Sequence, residues 1–79
     1  MTVSEAVSEK IGMLLKERNM SAYKLALNSG VLHGTLNAIL KNKNKSVNLA
    51  IMIQIAGGFG MEVWEFLNDP LFREENLKV

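Results

Sequence analysis

The sequence predicts an all-α fold, a compact five-helix bundle. Apolar residues recur at helical spacing along most of the 79 residues, and residues able to cap a helix, Ser21 and Asn48, stand just ahead of two of the apolar runs. Gly30, the cluster Gly57-Gly58-Phe59-Gly60 and Pro70 punctuate the chain into segments of helical length.

Val7, Ile11 and Leu14, with Leu15 beside them, make Ser4 to Arg18 an amphipathic first helix. Ser21 caps the second, Ala22 to Ser29, by accepting an otherwise orphan backbone N–H, while Met20 packs on Leu25 as a hydrophobic staple. Gly30 follows that helix, where a left-handed conformation costs a residue with a side chain about 1 to 2 kcal/mol. A sharp corner is expected there. The small side chain of Ala26 admits the next helix closely, and Val31, Leu36 and Ile39 hold the corner shut. The third helix runs from about His33 to Lys41, standing out from the surface at an angle suited to a DNA groove.

Asn48 caps a fourth helix, Leu49 to about Gly57, with Val47 stapled onto Met52 and Leu49, Met52, Ile53, Ile55 and Ala56 on its core face. Gly57, Gly58 and Gly60 are expected to end it. A fifth, Glu62 to Leu67, stops at Asn68-Asp69-Pro70, because proline disfavours helical geometry in the residue before it. Leu71 and Phe72 pack back on the body, and Arg73 to Val79 are expected to fray. Residues 1–79 are read as one domain, with a core of about 5–69 and a tail of 70–79.

Leu25-Ala26, Gly30-Val31, Thr35, Leu36 and Ile39, with Ile11 and Leu14 upstream and Ile55-Ala56, Phe59-Gly60 and Phe66-Leu67 downstream, together resemble the Cro/C1-type (Xre family) helix-turn-helix DNA-binding domain. The resemblance covers roughly Val7 to Leu67 and implies a lambda-repressor-like fold with the third helix in the major groove of double-stranded DNA. Base contacts then map onto Leu32, His33, Gly34 and Asn37. Asn37 could pair in bidentate fashion with adenine, His33 could donate to guanine N7 or a phosphate, and Leu32 could touch a thymine methyl.

Phosphate contacts are expected from Ser21, Tyr23, Lys24, Thr35, Lys41, Asn42, Lys43 and Lys45. Lys24 stands where a capping box would place an acid, so that helix end is open to an external anion, although an incidental surface lysine fits equally. The run Lys41 to Lys45 reads either as a solvated turn or as a strip along the sugar-phosphate backbone. Where many members of the resembled family carry glutamine this chain has Ala22, and Leu32 and Gly34 replace the usual polar residues. Weak or A·T-leaning recognition follows.

Net charge, +1 overall, is unevenly placed. From Lys10 to Lys45, Lys10, Lys16, Arg18, Lys24, Lys41, Lys43 and Lys45 face Glu17 alone, a local charge of +6, between flanks carrying −2 and −3. That block suits a polyanion.

Tyr23, Leu27, Ile51 and Trp64 are apolar where the helical phase favours outward-facing polar residues, although Leu27 could lie beneath the first helix and Trp64 could complete the core. The resembled family commonly dimerises around its fourth and fifth helices, which points to Ile51, Met61 and Trp64 as a homodimer interface. Self-association would have to use this small body, since no separate oligomerisation domain is present in it.

One histidine without cysteine or a nearby acid predicts neither an enzyme nor a metal site, and no cofactor is expected. The acidic first residues and the lack of a long apolar run predict a cytoplasmic protein with no membrane segment. The function expected is that of a transcriptional repressor or regulator. The alternatives are an antitoxin-type regulator that grips a toxin protein through its apolar surface, and a scaffold that kept the fold but lost DNA contact.

Overall fold

The computed structural model describes residues 1–41 and 47–78. Among them run α1 (Val3–Glu17), α2 (Ala22–Ser29), α3 (His33–Leu40), α4 (Leu49–Gly58) and α5 (Val63–Leu67), followed by two short 3-10 turns, Pro70–Phe72 and Glu74–Asn76. The all-α expectation holds, and the helix starts at Ser21 and Asn48 fall where the sequence places them.

Thr2 and Glu5 start α1. The Glu5 N–H donates to the Thr2 hydroxyl at 3.2 Å and the Thr2 N–H to the Glu5 carboxylate at 2.8 Å, which satisfies two orphan donors reciprocally. This start precedes the expected one at Ser4. At the other end Asn19 adopts a left-handed conformation (φ 52°), its N–H donating to the Lys16 carbonyl while the Met20 N–H donates to the Leu15 carbonyl. That double bond turns the chain back, so Met20 packs against the core and Ser21 opens α2 beside the end of α1.

Gly30 (φ 76°) ends α2 with its N–H on the Ala26 carbonyl at 3.0 Å, and the Val31 N–H donates to the Ser29 hydroxyl at 3.2 Å. Val31 is buried by this corner. Leu36 and Ile39 turn inward from α3, and the Ser8 hydroxyl of α1 donates to the Leu40 carbonyl at 3.0 Å, tying down the last turn of α3.

The glycine cluster ends α4 as expected, one residue beyond Gly57. α4 runs through both Gly57 and Gly58 and closes at Gly60 (φ 73°), where the Gly60 and Met61 N–H groups donate to the Gly57 and Ala56 carbonyls. Gly58 is the crossing point of α2 and α4: a Cβ there would lie 2.8 Å from Ser29 Cβ and 2.9 Å from Leu25 Cδ1. The close approach of α4 to α2 is thus made at Gly58, apart from the approach of α3 expected at Ala26.

Val7, Ile11, Leu14, Leu25, Leu36, Ile39, Ile55, Phe59 and Phe66 fill the centre. Phe72 packs against it, its ring 5.9 Å from that of Phe66. Residues Arg73 to Lys78 are not frayed as expected. The Lys78 N–H donates to the Met1 carbonyl at 2.8 Å, the Met1 ammonium donates to the Asn76 carbonyl at 3.0 Å, and Thr2 pairs with Lys78 as a single parallel bridge.

Two cations of the positive block are structural. Lys10 meets Asp69 at 2.9 Å, with the two side chains only 11% and 16% exposed. The Leu71 N–H, donating to the same carboxylate, and then Lys10 hold Asp69 below the usual carboxylate range. Arg18 donates to the Phe59 carbonyl and lies over the Phe59 ring, 5.6 Å from its centroid, which braces the end of α1 on the end of α4. The +6 block is therefore not all available to an external anion.

Candidate nucleic-acid interface

Leu36 and Ile39 anchor α3, so helical geometry turns Gly34, Asn37, Ala38 and Lys41 toward the opposite side. Gly34 and Lys41 are exposed, and Asn37 and Ala38 are half-buried. Ala38 belongs to this outward arc, although the sequence reading did not single it out. Its methyl group carries no polar signal to find it by.

Leu32 and His33 form the leading end of α3. Leu32 sits at the N-cap with its side chain 77% exposed and without a side-chain hydrogen bond to the first turn. His33, also exposed, meets Tyr23 of α2 edge to face, with centroids 5.8 Å apart and planes at 90°. The pair links the two helices across the corner on the outer surface. Tyr23 is itself 61% exposed.

At the start of α2 the Ser21 hydroxyl accepts the Lys24 N–H at 3.1 Å, which leaves its own proton free to donate outward. Lys24 is exposed on the same turn. A shallow groove alongside is lined by Gly12, Leu15, Lys16, Asn19, Met20 and Ser21, which brings Lys16 to the same end of α2. Lys16 was not among the expected phosphate residues. The signal for it is the left-handed turn at Asn19, which brings the end of α1 beside Ser21. Thr35 lies half-buried on α3. Asn42, Lys43 and Lys45 lie outside the described residues.

The apolar candidates separate into two groups. Ile51 and Met61 are half-buried and pack against the core, so Ile51 does not stand outward as its helical phase suggested. Trp64 is 66% exposed, and Leu27, rather than lying beneath α1, is exposed on α2. Leu49 and Ile53, expected on the core face of α4, are exposed instead. Their spacing of four residues puts them on one face of a helix that contains no charged residue.

Among the described residues no group of His, Cys, Asp or Glu side chains could hold a metal ion, and no helix is long and apolar enough to cross a membrane. Compared with known proteins, the chain matches the family model of the Cro/C1-type HTH DNA-binding domain over residues 10–70. No curated protein and no solved structure matches it.

Proposed function

The chain belongs to the Cro/C1-type helix-turn-helix DNA-binding domain family, and from that membership we propose that it represses or otherwise regulates transcription by laying α3 in the major groove of duplex DNA. One observation carries the reading. On the side of α3 opposite Leu36 and Ile39, Gly34 and Lys41 are exposed, and the exposed cations Lys24 and Lys41 are engaged in no ion pair among the described residues, while Lys10 pairs with Asp69 and Arg18 is held on Phe59.

Leu32, His33, Gly34 and Asn37 face base edges in this reading. Ser21, Tyr23, Lys24, Thr35 and Lys41 hold phosphates, joined by Lys16 and by Asn42, Lys43 and Lys45 of the segment after α3. These contacts supply salt-dependent affinity, and the α3 residues supply preference. Selection of bound sites from random duplexes, followed by mobility shifts at low and moderate salt, tests the proposal. An enriched site with steep salt dependence is expected, and failure to enrich any site rejects it.

Two copies acting together would read a near-palindromic site with half-sites about 34 Å apart. Trp64 is the centre of the proposed homodimer contact. Ile51 and Met61, both half-buried, are the other proposed members, and Leu49 and Ile53 are the exposed apolar residues of α4 that a second copy could also cover. The absence of charge along α4 favours a second copy of the same chain, because two such faces meet without burying an unpaired ion.

A further inference from the structure

The N-caps of α1, α2 and α4 are Thr2, Ser21 and Asn48, and each accepts a backbone N–H of its first turn. In α5 the N-cap Glu62 accepts no such bond, but its own N–H donates to the Glu65 carboxylate at 2.9 Å, whereas α3 has neither arrangement. Leu32 offers no acceptor, so the helix forgoes its cap, and with 77% of the side chain exposed the loss is not offset by burial in the core. Two residues on, Gly34 weakens the same turn relative to alanine, yet a Cβ at that position would meet nothing within 4 Å. No neighbour among the described residues requires either residue. The leading turn of α3 is therefore built against its own stability at two adjacent surface positions, in the helix that the family places against DNA.

We propose that this turn is shaped for the 5-methyl group of a thymine, so that the DNA recognised is A·T-rich with a thymine at one fixed position in each half-site. The inference rests on the reading of α3 as the major-groove helix. The thymine methyl is the one apolar group displayed among the major-groove edges of the four bases, and the isobutyl group of Leu32 has no donor or acceptor with which to read anything else there. The missing side chain at Gly34 lets the helix backbone come close to the base edge beside it. Asn37, one turn further on the exposed side, has the paired donor and acceptor that fit adenine N6 and N7. Arginine and lysine, the usual guanine readers, are absent from positions 32, 33, 34, 37 and 38.

Replacing each thymine of the selected site singly by deoxyuridine removes one methyl group and nothing else. One such replacement per half-site is expected to weaken binding roughly fourfold, the amount that burial of a single carbon group supplies. With Leu32→Ala and Leu32→Ser the thymine and uracil duplexes are expected to bind equally. Leu32→Ser, which restores a cap, is also expected to melt at a higher temperature. Introducing 5-methylcytosine at the thymine position should recover part of the affinity that plain cytosine loses. Uniform indifference of the wild-type chain to uracil would overturn the inference, as would a Leu32→Ser chain that still discriminates thymine from uracil. Both outcomes leave DNA binding itself intact, whereas failure to enrich any site removes the major-groove reading as well.

Discussion

The rings of Tyr23 and His33 meet edge to face across the corner between α2 and α3, 5.8 Å apart at 90°. Such a pair contributes on the order of 0.5 to 1.5 kcal/mol, and the exposure of both rings puts this one at the low end. Its consequence is positional, because it restricts the ring of the first residue of α3.

Tyr23→Ala should therefore blur preference at one base pair while changing folding stability by less than about 1 kcal/mol. Tyr23→Phe keeps the ring and should keep the preference. Binding to a panel of single-base-pair variants of the selected site checks this: loss of the hydroxyl's phosphate contact should lower affinity evenly across the panel in both substitutions, and a loss of preference in Tyr23→Phe as large as in Tyr23→Ala would overturn the role of the ring pair.

Two glycines on helices should respond oppositely to alanine. Gly58→Ala forces a methyl to 2.8 Å from Ser29 Cβ and 3.1 Å from the Ser29 nitrogen, neither of which is the flexible end of a long side chain. A loss of about 1 to 3 kcal/mol is expected. Gly34→Ala meets open space and should gain up to about 1 kcal/mol of helix propensity. Thermal melting separates the two, at roughly 4 to 8 °C per kcal/mol for a domain of this size.

Neutralising the cations should divide them into two classes. Lys24→Ala and Lys41→Ala should each make the salt dependence of DNA binding shallower by about one ion while leaving the melting temperature nearly unchanged. Lys10→Met should leave the salt slope as it is and cost about 1 to 3 kcal/mol of stability, because Asp69 loses a charged hydrogen-bond partner. A shallower slope for Lys10→Met, measured on folded protein, would contradict the separation.

The low pKa of Asp69 links stability to acidity with a definite sign. Its carboxylate is favoured in the folded chain by the Leu71 N–H and then by Lys10, so its contribution is complete above the unfolded value of about 3.9. The contribution is lost as pH falls through the lower folded value. Glu5, whose pKa is lowered by the Thr2 N–H and hydroxyl, acts in the same direction. Denaturant unfolding between pH 6 and pH 2 should show a smaller acid loss in Asp69→Asn than in the wild type, starting from lower stability at neutral pH.

Sedimentation of Trp64→Glu and Ile53→Glu tests the proposed pairing of copies. Both should sediment as monomers at concentrations where the parent chain is dimeric, whereas Leu27→Glu, on α2, should not change the mass. Dissociation by Leu27→Glu alone would move the contact to α2.

What was legible in the sequence was what depends on near neighbours. Ser21, Gly30 and Asn48 act on bonds no more than four residues away, and each stands where its local pattern puts it. The start of α1 was equally local in the spacing of Thr2 and Glu5, but the apolar run that drew attention begins later. The partners of Lys10 and Arg18 lie 59 and 41 residues away, so no local pattern distinguishes these cations from Lys24. Gly58 does close α4, but its tight packing on α2 is not legible locally, because it depends on which turn of α2 crosses it. Ile51 and Leu49 exchanged faces for a related reason: α4 is apolar nearly all round, and its sequence carries little information about which side turns inward.

The clasp between Met1 and Lys78 gives the molecule a seam where its beginning and its last described turn are stitched to one another. A disturbance at one margin is thus felt at the other: lifting residues 76–78 removes the acceptor for the Met1 ammonium and the donor to its carbonyl, and the leading turn of α1 is left to stand on Thr2 and Glu5 alone. Unravelling that starts at either margin must undo the same stitches.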